Sequence, residues 1–144
     1  MSALVDAARR WIGVPFRHRG RTRRGVDCVG LVVMAYSDAD IQLPDFRLYG
    51  REPHRDGMIQ HMTAALGDAV SVAPVSESNL QPGDVLAIRY LSEPHHAAVV
   101  GLRDYGGRPA LTMIHAEGIH GAVLEQRLTP DIIDRITHVF RKPA

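Results

Sequence analysis

Gly25-Val26-Asp27-Cys28-Val29-Gly30-Leu31-Val32-Val33-Met34-Ala35-Tyr36 is the stretch on which the fold turns. Val29, Val32, Val33 and Tyr36 recur at i, i+3, i+4 and i+7, one face of a helix that begins near Asp27 and carries Cys28 in its first turn. A thiol at that place sits at the positive end of the helix dipole, which favours the thiolate and predicts a lowered pKa. Unpaired backbone N–H groups of the same turn are candidate donors to an oxyanion, should the thiolate attack a carbonyl. Just upstream, Arg17, Arg19, Arg21, Arg23 and Arg24 could stabilise the thiolate further or hold a substrate rich in carboxylates. Against this stands a plainer reading, a buried inert thiol beside a solvated basic loop, which starts ahead for any lone cysteine.

Working outward, Leu4, Ala8, Trp11 and Ile12 follow Ser2, a candidate N-cap, at helical spacing and predict a short helix over 3–12. Pro15 and the Gly/Arg-rich stretch 17–25 read as a loop, and 38–53, with Pro44, Gly50 and Pro53, as irregular chain. Met58, Ile59, Met62 and Leu66 share a further helical face that Gly67 ends. Beyond this point the pattern changes. Short apolar or alternating runs at 85–90, 96–102, 111–116, 122–128 and 137–141 are separated mostly by Pro, Gly and Asp, as in antiparallel strands. Thr129-Pro130-Asp131 reads as a capped helical turn before the last of them. Helices first and strands afterwards is the α+β pattern, here with N-terminal helices on a C-terminal antiparallel sheet.

The chain has 144 residues (15.9 kDa), the size of one domain, so 1–144 reads as a single unit without repeats or linkers. Its 45% apolar and 23% charged residues are ordinary for a folded globule. One cysteine excludes a disulfide framework, a multi-thiolate zinc site and a cysteine-ligated iron–sulfur cluster. Basic and acidic residues nearly cancel, 17 against 16, so nothing in the charge total asks for nucleic acid or an anionic membrane. No apolar run approaches bilayer length, and the first residues lack the basic start and apolar stretch of a signal peptide. The expectation is synthesis in the cytoplasm without membrane insertion.

The histidines weigh against the inert thiol. A hairpin centred between Tyr105 and Gly106 would set His96 directly opposite His115, projecting from one face. One imidazole could then face the thiol while the other accepts a hydrogen bond from its far nitrogen. His95, next in line, must point the other way if both lie in a regular strand. His96 is preferred because its face continues through Ala98 and Val100 toward an apolar layer. His54, His61, His120 and His138 read as surface or loop histidines. A zinc site from His95 or His96 with His115 and His120 lacks recognisable ligand spacing, so no metal or cofactor is expected.

Four segments taken together resemble the NlpC/P60 cysteine peptidases of bacterial cell-wall hydrolysis. They are Gly13-Val14-Pro15-Phe16 leading through Gly20 and Gly25 to Asp27-Cys28-Val29-Gly30-Leu31, then Leu80-Gln81-Pro82-Gly83-Asp84, His96-Ala97-Ala98-Val99-Val100-Gly101, and Ile114-His115-Ala116. The resemblance spans nearly the whole chain and implies a compact papain-like fold. It implies Cys28 as nucleophile, His96 as general base and acid, and His115 as the orienting third residue. Phe16, Arg17, Arg19, Asp27, Val29 and His95 are the positions it suggests for substrate binding. It further implies hydrolysis of peptidoglycan stem peptides, typically between D-γ-glutamate and diaminopimelate, through a thioester. Two departures make the site more apolar: Phe16 stands for the usual tyrosine and Val29 for the usual serine. Asp-Cys-Val-Gly-Leu and the closing Phe140-Arg141-Lys142-Pro143 are similar to members encoded in phage-tail and gene-transfer-agent clusters. That similarity implies a domain built into a tail tip beside tail assembly proteins and acting on the wall in the periplasm. The alternatives are a secreted effector, a structural tail-tip subunit with dispensable hydrolysis, and another cysteine amidase or acyltransferase on the same scaffold.

Overall fold

The structure, a computed structural model, describes residues 2–47, 49–50, 57–90 and 93–144; His54 and the side chain of His95 lie outside the described residues. Helix α1 (Ala3–Arg9) starts where Ser2 accepts a hydrogen bond from the Val5 N–H. It is shorter than the 3–12 periodicity predicts, because Trp11 N–H and Ile12 N–H turn back to carbonyls three residues earlier and tighten the chain into turns. The arginine-rich stretch is not a plain loop: β1 (Arg21–Thr22) and β2 (Gly25–Val26) pair antiparallel as a small hairpin. Helix α2 (Cys28–Asp38) follows, and the next helix of the described residues is α3 (Met58–Leu66).

The strands are β3 (Val85–Tyr90), β4 (Glu93–Tyr105), β5 (Arg108–Glu117), β6 (Ala122–Arg127) and β7 (Ile136–Phe140), with the short α4 (Pro130–Ile133) before the last. They form one antiparallel sheet in the order β6-β5-β4-β3-β7. This is the α+β arrangement that the order of patterns predicts. Both faces of the sheet are covered. Ala87, Val99, Ile114 and Phe140 pack with α1, α2 and α3, while Leu86, Ala98, Val100 and Met113 pack with Leu80, Val72 and Ile133 on the other side. The two chain ends meet, since Leu4 N–H donates to the Ala144 carbonyl at 3.3 Å.

Gly106 and Gly107, with φ of 63° and 88°, make the two-residue turn joining β4 to β5, because only glycine enters that region without a Cβ penalty at both central positions. Tyr105 therefore pairs with Arg108. The register is two residues away from the one that would set His96 directly opposite His115. A shift of two preserves the pleat, so the two histidines still belong to one face. The β4–β5 ladder runs only to Val99↔Ile114, and beyond that point each strand keeps only its outer neighbour, β3 for β4 and β6 for β5.

Candidate active site

Asp27 organises the start of α2. Its Oδ1 accepts from the Gly30 N–H (2.8 Å), which caps the helix, and from Arg21 Nη1 (3.1 Å). Its Oδ2 accepts from the Arg19 N–H (2.8 Å) and from the Tyr49 hydroxyl. Arg21 is buried, and its Nε and Nη2 engage both oxygens of Asp45. Asp27 is buried too, and these four donors occupy its carboxylate. That corrects its expected substrate contact: the residue is a structural anchor. The glycine of Asp-Cys-Val-Gly-Leu has a steric cause, since a Cβ on Gly30 would lie 2.2 Å from the Gly20 carbonyl oxygen.

Cys28, 7% exposed, opens α2 with its sulfur in reach of the backbone N–H groups of Ala97 and Val29. The Ala97 N–H lies past the end of the β4–β5 ladder, where the divergence of the strands lets the helix terminus approach. The lowered pKa expected from the helix terminus is not found. Burial and then the Asp27 carboxylate push the Cys28 thiol up to about 12, against smaller opposing effects of the Ala97 and Val29 amides and Arg21. Desolvation of the anion outweighs the dipole here, so the resting group is a thiol.

His96 immediately precedes the amide that the sulfur touches. It is buried, and its Nε2 lies 2.7 Å from His115 Nδ1, with the rings edge to face. His115 Nε2 in turn lies 2.8 Å from Gln126 Oε1 on β6. Burial depresses the His115 pKa below its ordinary 6.5, with Gln126 and Glu117 pulling the other way. The row His96–His115–Gln126 thus crosses three strands on the end of the sheet where Cys28 arrives. The alternation argument separating His95 from His96 does not hold, because β4 slips register at His95: Ile88 pairs with His96 but Arg89 with Pro94. What singles out His96 is its hydrogen bond to His115.

The other expected positions divide. Val29 is half-buried and lines an apolar cleft with Val33 of α2, Phe46, Met62 of α3 and Ala97. Phe16 is half-buried, its ring against Gly118 of the β5–β6 connection. Arg17 and Arg19 are exposed; what Arg19 contributes to the site is its backbone N–H to Asp27. The arginines are not one cationic patch. Arg21 points inward, and Arg23 lies 3.8 Å over the Trp11 ring and donates to the Arg10 carbonyl. His61 is exposed, as expected, and from the surface it lines the cleft and stacks on Phe46 with ring centroids 4.0 Å apart. Tyr49 and Gln126 escape a reading of the sequence: a tyrosine in irregular chain and a glutamine in a strand carry no local signal.

A model of the NlpC/P60 family matches residues 13–141. The chain belongs to the NlpC/P60 family. A probable endopeptidase of Mycobacterium tuberculosis is 36% identical over 98 residues, which are 68% of this chain and 20% of that protein. The probable endopeptidase NlpC of Escherichia coli is 49% identical over 45 residues, 31% of this chain and 29% of that one. The chain thus spans about a fifth of the length of the mycobacterial relative. Among solved structures, an NlpC/P60 family protein from Bacillus cereus aligns with 99% of this chain and 40% of its own (TM-score 0.63, 23% identity). The peptidoglycan hydrolase RipB of M. tuberculosis aligns with 99% of this chain and 64% of its own (TM-score 0.62, 18% identity). These two share the NlpC/P60 fold, and the family match spans Cys28, His96 and His115.

Proposed function

We propose that this NlpC/P60 domain is a cysteine endopeptidase acting on peptidoglycan stem peptides, at the bond between D-γ-glutamate and diaminopimelate. The observation that carries the reading is the Cys28 sulfur resting on the amide of Ala97, one peptide from the hydrogen-bonded pair of His96 and His115. Membership of the family and the similarity to probable endopeptidases support the same chemistry.

In this mechanism His96 takes the Cys28 proton as the sulfur attacks the scissile carbonyl carbon. Because the resting group is a thiol, proton transfer accompanies attack rather than preceding it. The oxyanion accepts from the Cys28 N–H at the head of α2. Collapse breaks the C–N bond, His96 returns the proton to the leaving amine, and a thioester remains on Cys28. Water, deprotonated by His96, then attacks the thioester; the carboxyl product leaves and the sulfur regains its proton. His115 holds the His96 ring throughout.

The test is digestion of purified sacculi by the wild-type chain and by Cys28→Ala, with mass analysis of the released peptides. Stem-peptide fragments are expected from the wild type alone, and identical profiles would end the endopeptidase reading. One observation favours a second reading, a cysteine amidase for an amide with an apolar group: the cleft beside Cys28 is lined by Val29, Val33, Phe46 and Met62. Faster turnover of fatty-acyl amides than of muropeptides would decide for it. As to delivery, the Asp-Cys-Val-Gly-Leu variant and the Phe140-Arg141-Lys142-Pro143 ending support incorporation in a phage-type tail tip beside tail proteins, acting in the periplasm.

A further inference from the structure

We infer that Arg21 is a positioning residue that sets specificity: its guanidinium clasps the segment around Asp45 and Tyr49 to the head of α2. It thereby fixes one wall of the cleft that receives the apolar group of a molecule reacting at Cys28. The inference rests on the catalytic reading above only in taking Cys28 as the reacting group.

A guanidinium carries five N–H donors in one plane, and all five of Arg21 are engaged. Nη1 donates to the Gly20 carbonyl at 3.0 Å and to Asp27 Oδ1 at 3.1 Å. Nε and Nη2 take the two oxygens of Asp45 at 3.0 and 3.1 Å, and Nη2 also donates to the Tyr49 hydroxyl at 3.1 Å. That hydroxyl donates in turn to Asp27 Oδ2. Three stretches of chain therefore converge on one side chain: β1, the residue that caps α2, and 45–49. A lysine would keep the charge but not the planar fork.

The clasp acts on the cleft because cleft residues lie on both sides of it. Val29 and Ala97, whose amides the Cys28 sulfur reaches, line the cleft at the sulfur. Leu43, Pro44, Asp45, Phe46 and Tyr49 line it from the other segment. Residues 41–47 take neither helix nor strand, so side chains must hold this wall. Arg21 ties it to α2, and the stack of Phe46 on His61 ties it to α3. Burying charges for stability alone is poor economy, since a packed apolar group often does as well. What the fork adds is a single geometry.

The test alkylates Cys28 with two reagents of like chemistry, iodoacetamide and N-benzyl-iodoacetamide, and divides their rate ratio by that of glutathione. The whole chain is compared with Arg21→Lys and Asp45→Asn, each checked for folding by its melting transition. The wild type should favour the benzyl reagent by about tenfold, the effect of a few partly buried carbon atoms. Both variants should lose most of that preference. For Asp45→Asn the direction is informative, because removing a charge from the cleft would by itself favour the apolar reagent. Should Arg21→Lys fail to fold, Asp45→Asn decides alone. Leu80→Ala, in the cluster on the opposite face of the sheet, loosens the fold without touching the cleft and should keep the wild-type ratio. A wild type without benzyl preference, either clasp variant with an unchanged ratio, or an equal loss in Leu80→Ala would overturn the inference. If the ratios behave as stated while sacculi are not cleaved, the peptidase reading fails and the role of Arg21 stands.

Discussion

Cys28 illustrates how a residue can be placed from the sequence while its ionisation is not. Its place at the head of a helix, and the pairing of His96 with His115, are readable from spacing and motif. Its protonation is not, because that depends on how completely the sulfur is removed from water and on the Asp27 charge beside it. With the thiol pushed up to about 12, iodoacetamide should modify the free domain slowly at neutral pH. The rate should climb with a midpoint well above the ~8.5 of an ordinary cysteine. A midpoint below neutrality would mean a standing thiolate–imidazolium pair and refute concerted proton transfer. Asp27 was legible only as the residue before Cys28. Its real work, holding Arg21, Arg19, Gly30 and Tyr49 at once, needs partners from as far away as Tyr49, and no local pattern announces them.

At the scale of elements, the start of α2 is defined by backbone crowding as much as by capping. A methyl group at Gly30 would gain about 1 kcal/mol of helix propensity. It would also meet the Gly20 carbonyl oxygen at 2.2 Å, a backbone atom rather than the end of a flexible side chain. Overpacking of this kind typically costs about 1–3 kcal/mol. Gly30→Ala should therefore lower the denaturation midpoint in urea, and an unchanged or raised midpoint would show that the contact relaxes freely. The β4–β5 hairpin carries a related lesson. Two adjacent glycines are the strongest local mark of a two-residue turn, and centring the hairpin on them rather than on Tyr105–Gly106 yields the observed register. The face shared by His96 and His115 survived the error because the error was an even number of residues.

For the whole molecule, the order of helices and strands was legible because periodicity changes abruptly after Gly67. The covering of the second sheet face was not, since residues 70–80 lack a regular repeat and act only through scattered apolar side chains such as Val72 and Leu80. Buried His115 makes stability depend on pH. His115 has a folded pKa below its unfolded value of 6.5. The unfolded chain therefore binds a proton first as pH falls. The contribution is complete above that unfolded value and is lost as acidification proceeds through the folded one. Glu117 and Glu125 act in the same direction, but only below their ordinary 4.5. Urea midpoints measured just below 6.5 should thus fall with pH in the wild type and fall less steeply in His115→Gln. Parallel slopes would assign the acid sensitivity elsewhere.

The hydrogen bond between Leu4 and Ala144 makes the described fold topologically close to a ring. Stitching the ends with a few flexible residues would cost little loop entropy. New ends opened at Gly106–Gly107, the far tip of the hairpin from His96, would leave Cys28, His96, His115 and their supporting elements uncut. The domain is in this sense portable, a cassette whose points of attachment can be moved without touching what it does.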